Sequence, residues 1–204
     1  MNKLLAFLVL ASALIAPGHA TVQYTSSTEF LAQVAPGAFT ETFGQADYSV
    51  PQTVNFSNGV YGYSAFAQAG LWFNGAAMTT SAGVDSLVIT FTGAPVTAIG
   101  GNFYNTNNFD VFIATTIVVA LSDGTSLAFA PASVADSYRG FVSDVAIASI
   151  TLSTLQNTHF AGVDNFTIGS AILDAPGEVP EPASLALLGA GLLGAAAARR
   201  RRQV

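Results

Sequence analysis

Phe109 to Leu121 is a run rich in Val, Ile, Thr and Phe, and Asp123-Gly124 separates it from a second apolar run, Thr125-Ser126-Leu127-Ala128-Phe129. β-Branched and aromatic side chains suit a pleated, half-buried surface. An Asp-Gly pair between two such runs predicts an antiparallel hairpin closed by a type I′ turn. The same grammar extends outward in both directions. Ser86-Leu87-Val88-Ile89-Thr90-Phe91-Thr92 is β-branched, Ile150 and Leu152 alternate with Thr151 and Ser153, and Phe160 to Ile168 carries Phe160, Val163, Phe166 and Ile168. Gly59 to Phe66 interleaves Tyr61, Tyr63 and Phe66. Turn residues punctuate these runs at Ser57-Asn58-Gly59, Gly93-Ala94-Pro95, Gly100-Gly101 and Asp123-Gly124. Many short strands at this spacing predict an all-β fold, a jelly-roll-like antiparallel β-sandwich. Within it only Ser27-Thr28-Glu29-Phe30-Leu31 reads as a short helix, capped by Ser or Thr.

Composition narrows the function classes. The chain has 204 residues, 51% hydrophobic and 9% charged, with no cysteine, against roughly 25% charged in an ordinary soluble domain. That balance excludes disorder for most of the chain. The lack of cysteine excludes a disulfide framework, a Cys-ligated metal site and a cysteine nucleophile. Charge is unevenly placed. Residues 21–177 carry ten acids against Arg139 alone, a formal net of −9. No basic face is available to displace phosphate counterions, so the body does not bind nucleic acid. Lys3 and Arg199 to Arg202 sit at the two ends.

Those ends read as addresses. Lys3, the apolar run Leu4 to Ile15 and the small residues Gly18 and Ala20 form a signal peptide over residues 1–20. Its removal leaves His159 as the single histidine. At the other end, residues 174–182 lose periodicity and read as a linker, ending in Val179-Pro180-Glu181-Pro182. Residues 183–198 are uncharged, and residues 199–204 begin with Arg199, Arg200, Arg201 and Arg202. As a helix, the uncharged segment spans ~24 Å, short of the ~30 Å hydrocarbon core by an amount that local thinning and arginine snorkelling can absorb. The arginines would hold the tail in the cytoplasm, so the β-sandwich of residues 21–173 would lie outside the inner membrane.

This arrangement resembles the PEP-CTERM protein-sorting signal: a Val-Pro-Glu-Pro motif, one short transmembrane helix and a terminal arginine run. The resemblance implies export and processing by an exosortase-type membrane enzyme, with Pro180, Glu181 and Pro182 as recognition positions. It also implies delivery to the cell surface or extracellular matrix and an association with exopolysaccharide and biofilm. Phe39-Thr40-Glu41-Thr42-Phe43, Phe141-Val142-Ser143-Asp144, Ile147 to Leu152 and Phe160 to Phe166 resemble, loosely, the extracellular β-sandwich domains found ahead of this signal. Those domains look like carbohydrate-binding jelly rolls. By that resemblance Glu41 and Asp164, on the first and last strands, are the positions that would share a structural Ca²⁺, an ion that takes six to eight oxygens.

Two further stretches have the chemistry of a sugar site, where an aromatic face and hydrogen-bonding amides act together. Trp72, the only tryptophan, lies between Gly70 and Gly75 and reads either as a stacking platform or as a core residue. The segment Asn102 to Asp110 contributes Asn105, Asn107 and Asp110 as ligand-binding candidates. Its alternative is a hairpin loop with Asn residues in left-handed turns and Phe103 and Phe109 in the core. Catalysis finds little support. Gly-x-Ser-x-Gly is absent, one histidine cannot build a zinc site of the His-Glu-x-x-His kind, and Arg139 reads as a local partner of Asp136 or Asp144. The body is expected to be non-catalytic. A glycan hydrolase or lyase with two converging carboxylates, or a purely structural matrix protein, are the alternatives.

Overall fold

A computed structural model describes residues 20–172. The leader, the linker with its Val-Pro-Glu-Pro motif, the apolar segment 183–198 and the arginine tail lie outside the described residues. Fifteen strands follow in chain order: β1 (Thr21–Tyr24), β2 (Phe39–Glu41), β3 (Ala46–Asp47), β4 (Thr53–Asn58), β5 (Tyr61–Phe66), β6 (Leu71–Asn74), β7 (Met78–Thr80), β8 (Leu87–Gly93), β9 (Val96–Thr106), β10 (Phe112–Ile113), β11 (Ile117–Leu121), β12 (Ser126–Phe129), β13 (Tyr138–Ile147), β14 (Ser149–Thr154) and β15 (Phe160–Gly169). One short helix, α1 (Ser27–Leu31), joins β1 to β2. No helix among the described residues is long and apolar enough to cross a membrane.

The strands form two antiparallel sheets, so the predicted β-sandwich is what the chain builds. The large sheet runs β1-β13-β9-β15-β7-β6-β3, with β10 added on β9 and β2 on β15; the small one runs β12-β11-β14-β8-β5-β4. Side chains of alternate residues point to opposite faces. Ile99 and Phe103 of β9, Val163, Phe166 and Ile168 of β15, and Ile89, Val119, Ile150 and Leu152 of the small sheet therefore meet in one core.

The deciding hairpin is present, with a different turn. Gly124 N–H donates to the Leu121 carbonyl at 3.1 Å, Leu121 N–H donates to the Thr125 carbonyl at 2.8 Å, and Gly124 has φ +95°. This is a three-residue loop whose last position is left-handed. A type I′ turn needs positive φ at Asp123 as well, and Asp123 does not adopt it. Its carboxylate is held instead by Thr125 N–H at 2.8 Å and the Thr21 hydroxyl at 2.7 Å, with Ser143 Oγ at 3.3 Å. The hairpin is thereby tied to β1 and β13. Burial opposes ionisation of Asp123, but these hydrogen bonds outweigh it and hold the carboxyl below its ordinary value. A depressed folded pKa stabilises above the unfolded value and loses that contribution as pH falls through the folded one. Asp123→Asn is therefore expected to lower stability by about 1–2 kcal/mol at pH 7, a range that allows for its partial exposure. Thermal melts of the pair should converge once the pH falls below the depressed carboxyl value.

Gly100-Gly101 is not a turn. Both residues lie inside the long strand β9, and Gly100 faces Gly140 of β13 directly. The pair leaves a seat for the Phe30 ring of α1: a Cβ on Gly140 would lie 2.5 Å from Phe30 Cδ2, and one on Gly100 would lie 2.7 Å from Phe30 Cε1. Phe30, Ala98 and Tyr138 form a second, smaller cluster on the outer face of the large sheet. The helix begins where expected, with Ser26 Oγ accepting from Glu29 N–H.

Candidate functional site

Tyr104 of β9, Gly162 of β15, Thr79 of β7 and Trp72 of β6 are successive cross-strand neighbours in one rung of the large sheet. Directly opposed residues share a face. Phe73 and Phe103, one position along, belong to the core, so this rung faces outward. Trp72 thus projects half-buried from a strand, not from a loop. Tyr48, 64% exposed, lies against it with ring centroids 4.9 Å apart.

The β9–β10 connection supplies the polar half. Asn107 Oδ1 accepts from Phe109 N–H at 2.9 Å and Val111 N–H at 3.2 Å, and Asp110 N–H donates to the Asn107 carbonyl. This side-chain turn, an Asn habit, puts Asp110 at φ +59° and throws Phe109 out to 77% exposure. Phe103 is in the core as the alternative reading had it, Phe109 is not, and the left-handed residue is Asp110 and not an asparagine. Asp110 Oδ2 accepts from Trp72 Nε1 at 2.9 Å. That bond brings the loop to the indole and fixes the ring's orientation.

Trp72, Thr80, Ser81, Asn107, Asn108, Asp110 and Phe160 line a cavity of about 240 Å³. Tyr104 packs on Phe112 beside it. Burial first, then the Asp164 and Asp110 carboxylates, push the Tyr104 hydroxyl up to about 12, so it stays protonated at neutral pH. The cavity therefore offers aromatic faces, amide donors and acceptors, hydroxyls and one carboxylate. This donor set matches a polyhydroxylated, partly apolar ligand.

Of the residues singled out in the sequence, Trp72, Asn107 and Asp110 come together here. Asn105 does not. It is one position out of phase with Tyr104 and Thr106 and fully buried, donating to Thr115 Oγ1 at 3.1 Å and to the Thr116 carbonyl at 2.9 Å. Glu41 and Asp164 are likewise not brought together. Glu41 opposes the core residue Phe166, and its Oε1 accepts from Thr42 and Phe43 N–H at 3.0 and 2.9 Å. Asp164 opposes Asn102 on the outer face and accepts from Asn165 N–H and Nδ2. An irregularity between Asp164 and Thr167 separates the two registers. Burial pushes the Asp164 carboxyl up, opposed by the Asn165 N–H. Among the described residues no three His, Cys, Asp or Glu side chains form a group that could hold a metal ion.

Arg139 meets Asp136 through the backbone: its guanidinium donates to the Asp136 carbonyl at 2.8 Å and covers the Phe129 ring at 3.9 Å. His159 Nδ1 lies 3.4 Å from Thr115 Oγ1. Tyr48, Thr80, Ser81 and Phe160 complete the site but were not singled out. Phe160 was legible as a strand residue, whereas nothing periodic around Tyr48 points to Trp72.

Val179 to Pro182 and Arg199 to Arg202 lie outside the described residues, and their reading rests on comparison. Residues 178–202 match the family model described as the PEP-CTERM protein-sorting motif. No curated protein and no solved structure matches the chain. The motif supports an exported, surface-directed protein processed by exosortase, a membrane enzyme. The chain thus carries a PEP-CTERM protein-sorting motif behind an antiparallel β-sandwich body.

Proposed function

We propose that the β-sandwich is a non-catalytic carbohydrate-interaction module that holds the exported protein to exopolysaccharide at the cell surface or in the extracellular matrix. The observation that carries this reading is the cavity in which the Trp72 indole and the Phe160 ring meet the Asn107 and Asn108 amides and the Asp110 carboxylate. Sugars present apolar C–H faces and hydroxyl rims, and such a wall of rings and amides serves both. The acidic body, with Arg139 as its one cation between residues 21 and 177, disfavours anionic polymers by like-charge repulsion and favours a neutral one. A non-catalytic role is supported by the carboxylates' partners. Asp85 accepts from Ala69 and Ser86 N–H, Asp110 from the Trp72 indole, and Asp136 from Ala132 N–H. These acids serve as structural acceptors, Asp136 within its own loop and Asp85 and Asp110 between segments distant in sequence.

A glycan array probed with the exported protein tests the reading. Retention on neutral glycans is expected, and an array without a hit would overturn it. In the sorting half of the account, the transient anchor is the segment 183–198, retained by Arg199 to Arg202. Deleting residues 179–204 is expected to abolish surface display. The check is fractionation of cells carrying either form, and undiminished display of the truncated chain would contradict the proposal.

A further inference from the structure

The outer face of the large sheet carries a second cleft, beside α1. It has a volume of about 320 Å³ and is lined by Ser27, Thr40, Asn102, Tyr138, Asn165 and Thr167, among others. Its chemistry is neutral and hydrogen-bonding. Thr40 Oγ1 and Thr167 Oγ1 are paired at 2.8 Å across β2 and β15, and Asn165 Nδ2 reaches Asn102 Oδ1 at 3.2 Å. Asn165 is exposed and held at φ +50°, which presents its amide at the rim. Tyr138 is 7% exposed, and its hydroxyl has no hydrogen-bond partner. A buried hydroxyl without a partner is uncommon and calls for an explanation. Asp164 lies next to the cleft, and Arg139, turned to the inner side of β13 and spent on Phe129 and backbone carbonyls, leaves no cation to attract an anion.

The two clefts share one sheet and one face. On β9, Asn102 lines the second cleft and Thr106 opposes Phe160 of the first, and four residues at ~3.3 Å each put these positions ~13 Å apart. Tyr104 and Gly162 lie between them. We propose that the α1 cleft is a second saccharide subsite, and that the outer face engages one neutral polysaccharide chain at two points. This rests on the carbohydrate reading of the Trp72 cavity and deepens it, from a module that takes any sugar to one that selects polymers over short oligosaccharides. Two weak subsites on one ligand gain from effective concentration, so affinity rises with chain length once both are spanned.

The probe is the exopolysaccharide of the producing cells, hydrolysed and sized into a short fraction of two or three sugars and a long fraction. The exported protein reports on each subsite separately: Trp72 fluorescence on the first, the Asn102 and Asn165 side-chain amide resonances on the second. The long fraction is expected to move both signals and to bind at least about tenfold more tightly than the short one. Thr40→Val combined with Thr167→Val is expected to remove most of that gain while leaving short-fraction binding at Trp72 unchanged. Ser27→Ala, at an exposed position, is the second variant if the double one is unstable. A Trp72 response with both amides unmoved at saturation would overturn the second subsite and leave the first reading standing. Amide shifts with a silent Trp72 would overturn the Trp72 reading and two-point engagement together. Movement of neither signal would overturn both.

Discussion

Trp72→Ala is expected to weaken binding of the long neutral polysaccharide by at least about tenfold, roughly 1.4 kcal/mol or more, with the protein still folded. Trp72 gives the cavity its largest apolar face and also holds Asp110 through Nε1. Truncation removes both, so the 107–111 loop loses its tether at the same time as the ligand loses its platform. Trp72→Phe separates the two roles. It keeps a ring against Tyr48 but cannot donate to Asp110, and should fall between wild type and Ala. Because Trp72 is half-buried on the outer face, outside the inter-sheet core, neither variant empties the sandwich. Isothermal titration of the three proteins beside their melting curves checks the ordering. Equal affinities would contradict it.

Phe166→Ala has the largest expected effect on stability, about 3–5 kcal/mol. Phe166 is fully buried on β15, and its ring meets Tyr63 and Phe91 of the small sheet at 5.2 and 6.3 Å and Phe103 of the large sheet at 6.4 Å. One side chain therefore joins the two layers at the centre of an aromatic cluster. Removing it leaves a cavity between rigid sheets that cannot collapse without shifting both. Against a total of about 5–15 kcal/mol for a domain, this is a large share. Urea denaturation should show an earlier midpoint with an unchanged slope. Because Phe166 packs beneath the sheet and Trp72 above it, the folded fraction of the variant should keep its saccharide affinity.

These two residues also show how far the sequence could be read. Phe166 was legible as an apolar position of the run Phe160 to Ile168, whereas the irregularity between Asp164 and Thr167, which lets Val163 and Phe166 share the core three positions apart, was not. The hairpin around Asp123-Gly124 was legible from a turn pair set between two apolar runs, though its turn type was not, because the hydrogen bonds from Thr21 and Ser143 that hold Asp123 come from distant strands. The run Phe109 to Leu121 reads as one strand-like segment, yet it divides between β10 on the large sheet and β11 on the small one. Local propensity carries no information about such a crossover. Gly100-Gly101 imitates a turn because the need for glycine is tertiary: the Phe30 ring lies over Gly100, and a Cβ on Gly101 would meet Phe103 and the Asp164 carbonyl. At the site, Asn107 and Asp110 were legible from loop composition, while Asn105 was lost by a one-residue change of face. The pairing of Trp72 with Asp110 joins positions 38 residues apart, which no local pattern encodes.

The central claim is that the Trp72 cavity takes a neutral saccharide. The most direct test is a fluorescence titration of the exported protein, whose single tryptophan makes the emission a report from that one cavity. With the sized neutral exopolysaccharide, the predicted result is a saturable change in Trp72 emission. Emission that stays flat up to concentrations at which the polymer retains the protein on a surface would place binding elsewhere and contradict the account.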